Sequence, residues 1–161
     1  MADMESEHAA DDVDVYRQHA AELTRYATVL VGPDDAPDVV ADAVLAAIST
    51  ASWRDVANRR AYLYRAVLNG AASHRRSTAR RHRRETVVAM RAPDVSEPSE
   101  LGVDAHRTLA TLSAQQRAVV FLTYWEDQSP AQIAALLGVA DGTVRKQLAR
   151  ARDQLRRILD A

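Results

Sequence analysis

The chain has 161 residues, of which 47% are hydrophobic, and it carries a net charge of −1. It is long enough for one domain or two small ones, but it has no apolar run near the roughly 20 residues of a membrane span and no signal-peptide pattern. The absence of cysteine excludes a disulfide framework and a thiolate metal site, so we expect a soluble cytoplasmic protein without membrane insertion.

The charges are segregated along the chain. Residues 1–58 carry twelve acidic residues against three arginines, whereas residues 59–84 carry nine arginines and no acidic residue. Residues 105–161 have a basic excess as well. A polyanion binds to local basic segments, so this segregation matters more than the near-zero total. We therefore expect nucleic acid to contact the two basic segments, and a different partner to contact the acidic one.

Two helices are predicted before the first basic segment. Residues 1–11 are expected to form a disordered polar tail. Apolar residues then recur at intervals of four and three over 12–30, which predicts an amphipathic helix. A second helix is predicted over about 36–50, with Asp35 as its N-cap residue and Asp38 in an approximate capping-box position.

The basic segment is predicted to be one long helix over about 59–86, because apolar spacing continues through the competing turn signal Asn69-Gly70. Residues 91–104 contain two prolines, two serines and a glycine without periodicity, which predicts a flexible linker. It separates a domain over 12–90 from a domain over 105–161. Since no strand pattern appears, the predicted fold is all-α, with an N-terminal helical bundle and a C-terminal helix-turn-helix domain.

The second domain carries clear helix boundaries. Ser129 is a favoured N-cap residue, proline follows it at the first helical position, and Gly138 is a typical helix stop. A longer, basic helix begins near Asp141 or Gly142. Two helices joined by a tight glycine-containing turn, the second one basic, are typical of a helix-turn-helix. The helix before this pair is predicted to start with a capping box formed by Ser113 and Gln116.

The basic second helix of this pair is the candidate recognition helix. Its predicted buried face comprises Val144, Leu148, Ala151, Leu155 and Ile158. In a helix-turn-helix the N-terminal residues of this helix reach base edges and later ones reach the backbone, so the predicted base-facing residues are Thr143, Arg145, Lys146 and Arg150. Arginine can donate two hydrogen bonds to guanine, which contributes about 1–3 kcal/mol of discrimination. The alternative is a helical bundle whose arginine face binds nothing.

These motifs resemble those of bacterial sigma factors of the extracytoplasmic-function (ECF) type. The match is dense in the C-terminal half, where the family order is kept by Gln116-Arg117, Tyr124 to Asp127, Ile133 to Gly138, Gly142 to Arg145 and Arg150 to Arg152. Residues 38–45 resemble, more loosely, the family helix that docks on the clamp helices of RNA polymerase. Residues 61–69 with Arg75-Arg76 resemble the segment that opens and reads the minus-ten promoter element.

The resemblance implies an initiation factor that binds core RNA polymerase, directs it to promoter DNA and reads the minus-thirty-five element with its helix-turn-helix. An anti-sigma factor is a further partner that it suggests, and it implies no cofactor or metal. The implied polymerase-binding residues are Asp38, Val39, Asp42 and Leu45. The implied minus-ten residues are Trp53, Tyr62, Arg65, Asn69, Arg75 and Arg76. Trp53, like Tyr64, has the alternative role of a core anchor.

Two other functions were weighed against this one. A stand-alone helix-turn-helix regulator would share the C-terminal half, but no ligand pocket or sensing domain is evident in the N-terminal half. An enzyme is disfavoured, because the histidines are scattered and no phosphate-binding glycine loop or nucleophile–base pair can be assigned. The family usually has serine where this chain has Ala140, so Asp141 is expected to cap the recognition helix or the turn to shift.

Overall fold

The computed structural model describes residues 2–85 and 103–160. These residues form seven α-helices and one short 3-10 helix, and no strand occurs among them. The first half contains α1 (Ala2–Val31), α2 (Ala36–Ile48), a 3-10 helix (Ala51–Asp55) and α3 (Arg59–Glu85). The second half contains α4 (Val103–Ala110), α5 (Ala114–Tyr124), α6 (Pro130–Leu137) and α7 (Asp141–Leu159). The all-α prediction with two helical halves is confirmed.

Helix α1 starts earlier than the sequence predicts. It is helical from Ala2, so the predicted disordered tail is wrong for residues 2–11. Two acidic side chains of α1 contact the 3-10 helix and the start of α3. Asp11 accepts a hydrogen bond from Arg59 at 2.7 Å, and Asp12 accepts one from the Trp53 indole at 2.7 Å. Asp11 and Asp12 therefore have hydrogen-bond donors on the next elements of the bundle as partners.

A half-buried carboxylate ties α1 to α3. Glu22 accepts hydrogen bonds from the guanidinium of Arg60 at 2.8 and 3.0 Å and from the hydroxyl of Tyr64 at 3.0 Å. Nδ1 of His19 lies 2.6 Å from the same carboxylate. Burial opposes the ionised form, but these hydrogen bonds outweigh it, so the pKa of Glu22 lies below its ordinary value. This network fixes how the two helices meet.

The turn before α2 departs from the predicted capping box. Asp35 occupies the N-cap position, but its backbone is helical and its side chain makes no capping hydrogen bond. Its carboxylate instead lies 2.9 Å from Nε2 of His74 on α3. Helix α3 itself runs without interruption through Asn69-Gly70, as predicted, because neither residue takes a left-handed backbone conformation.

The predicted helix boundaries of the second half are confirmed. Ser113 and Ser129 each accept a hydrogen bond from the backbone of the third residue of their helix, and the glutamine there returns one, which forms two capping boxes. Gly138 ends α6 in the left-handed conformation, with φ of 67°. Ala140 is the N-cap of α7 without a side-chain cap, so the expectation that Asp141 caps this helix is wrong.

The two halves pack against each other around one continuous hydrophobic core. The rings of Tyr26 on α1 and Phe121 on α5 lie 6.0 Å apart. The buried Arg117 on α5 donates a hydrogen bond of 2.8 Å to the carbonyl of Leu30, in the last turn of α1. Residues 91–102 of the predicted linker lie outside the described residues, and 103–104 belong to α4. The independence of the two halves stays a prediction.

Candidate nucleic-acid interface

The first turns of α7 present the predicted base-facing residues on the surface. The predicted buried side of the helix is confirmed for Val144, Leu148 and Ala151, which lie in the core, but Ile158 is 38% exposed because it extends beyond the packed part of the helix. On the other side, Arg145, Lys146 and Arg150 are exposed and Thr143 is half-buried, so all four predicted residues can be approached from solvent.

One of these residues is held by a neighbour on the same helix. The guanidinium Nε of Arg145 donates a hydrogen bond of 2.9 Å to Asp141, one helical turn earlier. This hydrogen bond and the carboxylate charge raise the pKa of Arg145 above its ordinary value. The pair lies at the N-terminus of α7, where a helix-turn-helix meets base edges. Asp141 therefore orients Arg145 at the expected position for base contact.

An exposed aromatic pair lies beside the helix-turn-helix and was missed by sequence reasoning. Tyr124 and Trp125, at the end of α5, are each 54% exposed. The Tyr124 hydroxyl accepts a hydrogen bond of 2.7 Å from Arg152 on α7, and the Trp125 ring stacks on Phe121. The signal available in the sequence was two adjacent aromatics at a helix end, of which a single helix face can bury only one.

Three of the predicted minus-ten residues line one cavity in the first half. Tyr62, Arg65 and Asn69 on α3 face the C-terminal end of α2 across a cavity of about 350 Å³. Tyr62 is half-buried, and its ring contacts the edge of the Trp53 ring at a centroid distance of 5.6 Å. An aromatic face, an amide and a guanidinium around one opening form a site that could hold an unstacked base.

The prediction that Trp53 contacts DNA is wrong in this structure. Its side chain is only 2% exposed, it donates a hydrogen bond to Asp12, and the Arg59 guanidinium lies 5.2 Å from its ring centroid. The large apolar ring is more stable in the core than in water, and its one polar atom has a partner there. Tyr64 is fully buried as well, so the alternative role of core anchor applies to both residues.

Two predicted DNA-binding arginines contact the second half of the chain instead. Arg65 donates hydrogen bonds to the carbonyls of Leu136 at 3.3 Å and Ala135 at 3.1 Å, in the last turn of α6. Arg75 donates to the carbonyls of Leu112 at 3.0 Å and Ala110 at 3.4 Å, at the end of α4. The third predicted arginine, Arg76, is exposed and donates only to Ser73 on its own helix.

The predicted polymerase-binding face on α2 is mostly available. Asp38 and Asp42 are exposed, and Leu45 is 59% exposed. Val39 is only 6% exposed, since it faces α3 near Gly70, so its prediction as a contact residue is wrong. Sequence reasoning missed that Leu45 borders an apolar groove of about 470 Å³ between α1 and α2. The other residues lining this groove are Asp12, Val13, Tyr16, Ala41, Val44 and Ile48.

Two further kinds of site were sought in residues 2–85 and 103–160. No group of three or more histidine or acidic side chains converges there in a way that could hold a metal ion. Within the same ranges, none of the helices combines the length and the apolar character that crossing a membrane would require.

The chain is similar to known proteins over most of its length. Residues 103–155 match the family described as sigma-70, region 4. The ECF RNA polymerase sigma factor SigL of Mycobacterium tuberculosis is 36% identical over 147 residues, which cover 83% of this chain and 80% of SigL. SigM of the same organism is 32% identical, covering 90% of this chain and 75% of SigM. The RNA polymerase sigma-E factor of Streptomyces avermitilis is 34% identical, with coverages of 86% and 79%.

Two solved structures share the fold. The sigma factor RpoE of Bartonella quintana, in complex with the anti-sigma factor NepR, has a TM-score of 0.66 and 25% identity, covering 94% of this chain and 98% of RpoE. CnrH, in complex with the cytosolic domain of CnrY, has a TM-score of 0.63 and 25% identity, covering 99% of this chain and 94% of CnrH. The matches to these relatives cover both halves of the chain, the helices of the first half as well as the helix-turn-helix of the second. The chain belongs to the ECF family of RNA polymerase sigma factors.

Proposed function

We propose that this protein binds core RNA polymerase in the cytoplasm and directs it to promoters, with no catalytic chemistry of its own. The observation that carries this proposal is the exposed N-terminal part of α7, where Arg145, Lys146 and Arg150 project from a helix-turn-helix with well-defined boundaries. Together with Thr143, these residues are the proposed contacts to the minus-thirty-five element. Arginine and lysine at this position suit guanine edges and flanking phosphates.

The proposed minus-ten contacts are on α3. Tyr62, Arg65 and Asn69 surround the cavity that faces the end of α2, and Arg76 is exposed further along the helix. Stacking an unpaired base on an aromatic ring contributes about 1–3 kcal/mol, which helps to offset the cost of unpairing it. The cavity, rather than the buried Trp53, is therefore the proposed place for a base taken out of the duplex.

The proposed polymerase contact is the exposed acidic and apolar side of α2. Asp38 and Asp42 lie one turn apart with their carboxylates in solvent, and Leu45 follows on the border of the apolar groove. Such a surface suits a partner helix that carries basic and apolar residues. An anti-sigma factor is a proposed further partner, because the similar sigma factor RpoE was solved in complex with one.

Promoter binding requires the two halves to separate. In the packed arrangement, Arg65 and Arg75 donate hydrogen bonds to backbone carbonyls of the second half, so DNA phosphates must compete with these carbonyls for the same donors. Each guanidinium–carbonyl bond contributes about 1 kcal/mol where solvent is close. The halves also share the hydrophobic core, so a partner that favours the open form must offset both contributions with its own binding energy. We propose that core polymerase is such a partner.

Transcription from a promoter library with purified core polymerase tests this function. Arg145→Ala should reduce initiation and relax the preference at one base of the upstream element, because the base-facing guanidinium is removed. Arg157→Ala is the matched control, since Arg157 is exposed on the same helix but lies near its C-terminus, and it should leave the promoter preference unchanged. Tight, sequence-specific binding of duplex DNA by the protein without polymerase would instead indicate a stand-alone regulator and contradict the proposal.

A further inference from the structure

A second cavity lies where the two halves meet. Its volume is about 540 Å³, within the range of small-molecule sites. The first half contributes the turn between α1 and α2 and one side of α3, and the second half contributes the end of α4 and Arg117 of α5. The lining residues from α3 are His74, Arg75, Thr78, Ala79 and His82. The cavity exists only while the halves are packed together, because both halves supply its walls.

Two positive charges face this cavity without a carboxylate partner. Among the described residues, neither Arg75 nor Arg117 forms an ion pair; both donate hydrogen bonds only to backbone carbonyls. The one acidic residue in the wall, Asp35, lies 2.9 Å from the His74 ring. Two guanidiniums in a partly dehydrated space repel each other, and their two charges exceed that of the single carboxylate in the wall, so the cavity attracts an anion.

The Arg117 side chain has unused hydrogen-bonding capacity in the protein interior. It is 8% exposed, and its Nε has no hydrogen-bond partner although the terminal nitrogen binds Leu30. Burial, and then the charge of Arg75, lower the pKa of Arg117 to about 10. It therefore stays charged near neutral pH. A buried, charged group with an unpartnered donor is unfavourable, and an anion in the adjacent cavity would stabilise its charge.

We propose that this cavity binds a small phosphate-bearing ligand, with Arg75 and Arg117 donating hydrogen bonds to phosphate oxygens. Guanidinium groups suit phosphate because their planar donors can contact two oxygens at once. The volume of about 540 Å³ exceeds that of a single phosphate group, so the ligand class includes pyrophosphate and nucleotides. Thr78 in the wall offers a hydroxyl as a further polar contact.

Ligand binding in this cavity would affect promoter binding, an inference that rests on the proposed function. Because the ligand contacts both halves, it stabilises the packed arrangement by a free energy that grows with the logarithm of its concentration above the dissociation constant. That arrangement withholds Arg65 and Arg75 from DNA. The ligand would therefore act as an inhibitor of promoter binding. Binding of the ligand to the cavity requires neither DNA nor polymerase.

Nuclear magnetic resonance of the arginine Nε–Hε groups in the full chain tests the site directly. The Arg117 signal is assigned from its loss in Arg117→Lys. Titration with pyrophosphate, against sodium chloride of the same ionic strength, should shift this signal and saturate at one ligand per chain. Arg75→Met should weaken binding by about tenfold or more, because a charge-assisted hydrogen bond is lost. Arg80→Met is the control, since Arg80 is exposed on the same helix, and it should leave the affinity unchanged.

Three outcomes would overturn the inference. An Arg117 signal that does not move with pyrophosphate would show that the cavity holds only water. Equal loss of binding in Arg75→Met and Arg80→Met would show diffuse attraction to the basic helix instead of a site. A single-stranded oligonucleotide without terminal phosphates that shifts the signal at lower concentration than pyrophosphate would assign the cavity to DNA. None of these results depends on transcription, so they can contradict the ligand site without contradicting the proposed function.

Discussion

The contact between Gly138 and Arg65 offers a direct test of how the halves pack. Gly138 ends α6 with φ of 67°, a left-handed conformation that suits glycine. A methyl group added there would lie 2.7 Å from Nε and 2.8 Å from Cζ of Arg65, on the other half of the chain. Gly138→Ala therefore strains the backbone and also pushes the Arg65 guanidinium away from the carbonyls that it binds.

The two effects can be estimated separately. Alanine in a left-handed conformation costs about 1–2 kcal/mol. Displacing Arg65 removes two hydrogen bonds, but this side chain is exposed, so the loss is about 1 kcal/mol or less. We expect Gly138→Ala to lower the free energy of unfolding by about 2–3 kcal/mol. In an Arg65→Ala background only the backbone cost should remain, which gives a coupling of about 0.5–1 kcal/mol between the two positions.

Urea unfolding of the four variants in this cycle, followed by circular dichroism, measures the coupling. The fluorescence of Trp53 and Trp125, one in each half, shows whether both halves unfold in the same transition. Gly142→Ala is the matched control, because nothing lies within 4 Å of a Cβ at that position and alanine favours the helix there. The same cost for Gly138→Ala with and without the Arg65 side chain would refute the packing of α3 against α6.

Three more variants have expected outcomes. Glu22→Gln should destabilise the protein by about 2 kcal/mol at neutral pH in urea unfolding, because the ionised acceptor of three donors is lost. Since the pKa of Glu22 is lowered in the folded state, the stabilisation by its carboxylate is present above the unfolded pKa and is lost as pH falls through the folded pKa. A variant whose stability depends on pH in the same way as that of the unaltered protein would contradict the network. Ser129→Ala should cost about 1 kcal/mol in the same assay, with Ser129→Asp as the tolerated control. Asp38→Arg with Asp42→Arg should abolish co-purification with core polymerase at unchanged helicity; retained co-purification would argue against the α2 face.

Local signals predicted the second half of the chain well. Ser129, Gly138 and the apolar spacing around Val144 each act within one or two turns, so the sequence indicates them without knowledge of the tertiary structure. The solvent-accessible positions of the four proposed base contacts on α7 followed from the same helical periodicity. The family resemblance extended this prediction to a function, because its motifs are dense in this half.

The errors arose where a long-range partner decides what a side chain does. Trp53 could have stacked on a base or filled the core, and the choice depends on Asp12, Arg59 and Tyr62, which the fold brings around it. Val39 shares its helix with exposed acidic residues but points at α3. Asp11 and Asp12 look like residues of a solvated segment until Arg59 and Trp53 are placed beside them. Periodicity cannot supply such partners.

The interface between the halves gives the basic residues of α3 a second use. The C-terminal end of a helix carries partial negative charge on carbonyls that lack helical partners. Arg65 binds the end of α6, and Arg75 binds the carbonyl of the last residue of α4. In the other direction, Arg117 of α5 binds the end of α1. At Arg65 and Arg75, these carbonyls take the place that DNA phosphates occupy in the proposed open arrangement.

The exchange of phosphates for carbonyls as partners of the arginines gives the open and packed arrangements different responses to salt. Binding to DNA releases counterions, so it weakens steeply as the salt concentration rises. Guanidinium–carbonyl bonds involve one ion and one dipole and release none, and the buried bond of Arg117 is shielded from solvent ions. Added salt therefore shifts the balance towards the packed arrangement. In the proposed function, the binding energy of polymerase at α2 is therefore what presents the first half to a promoter at physiological ionic strength.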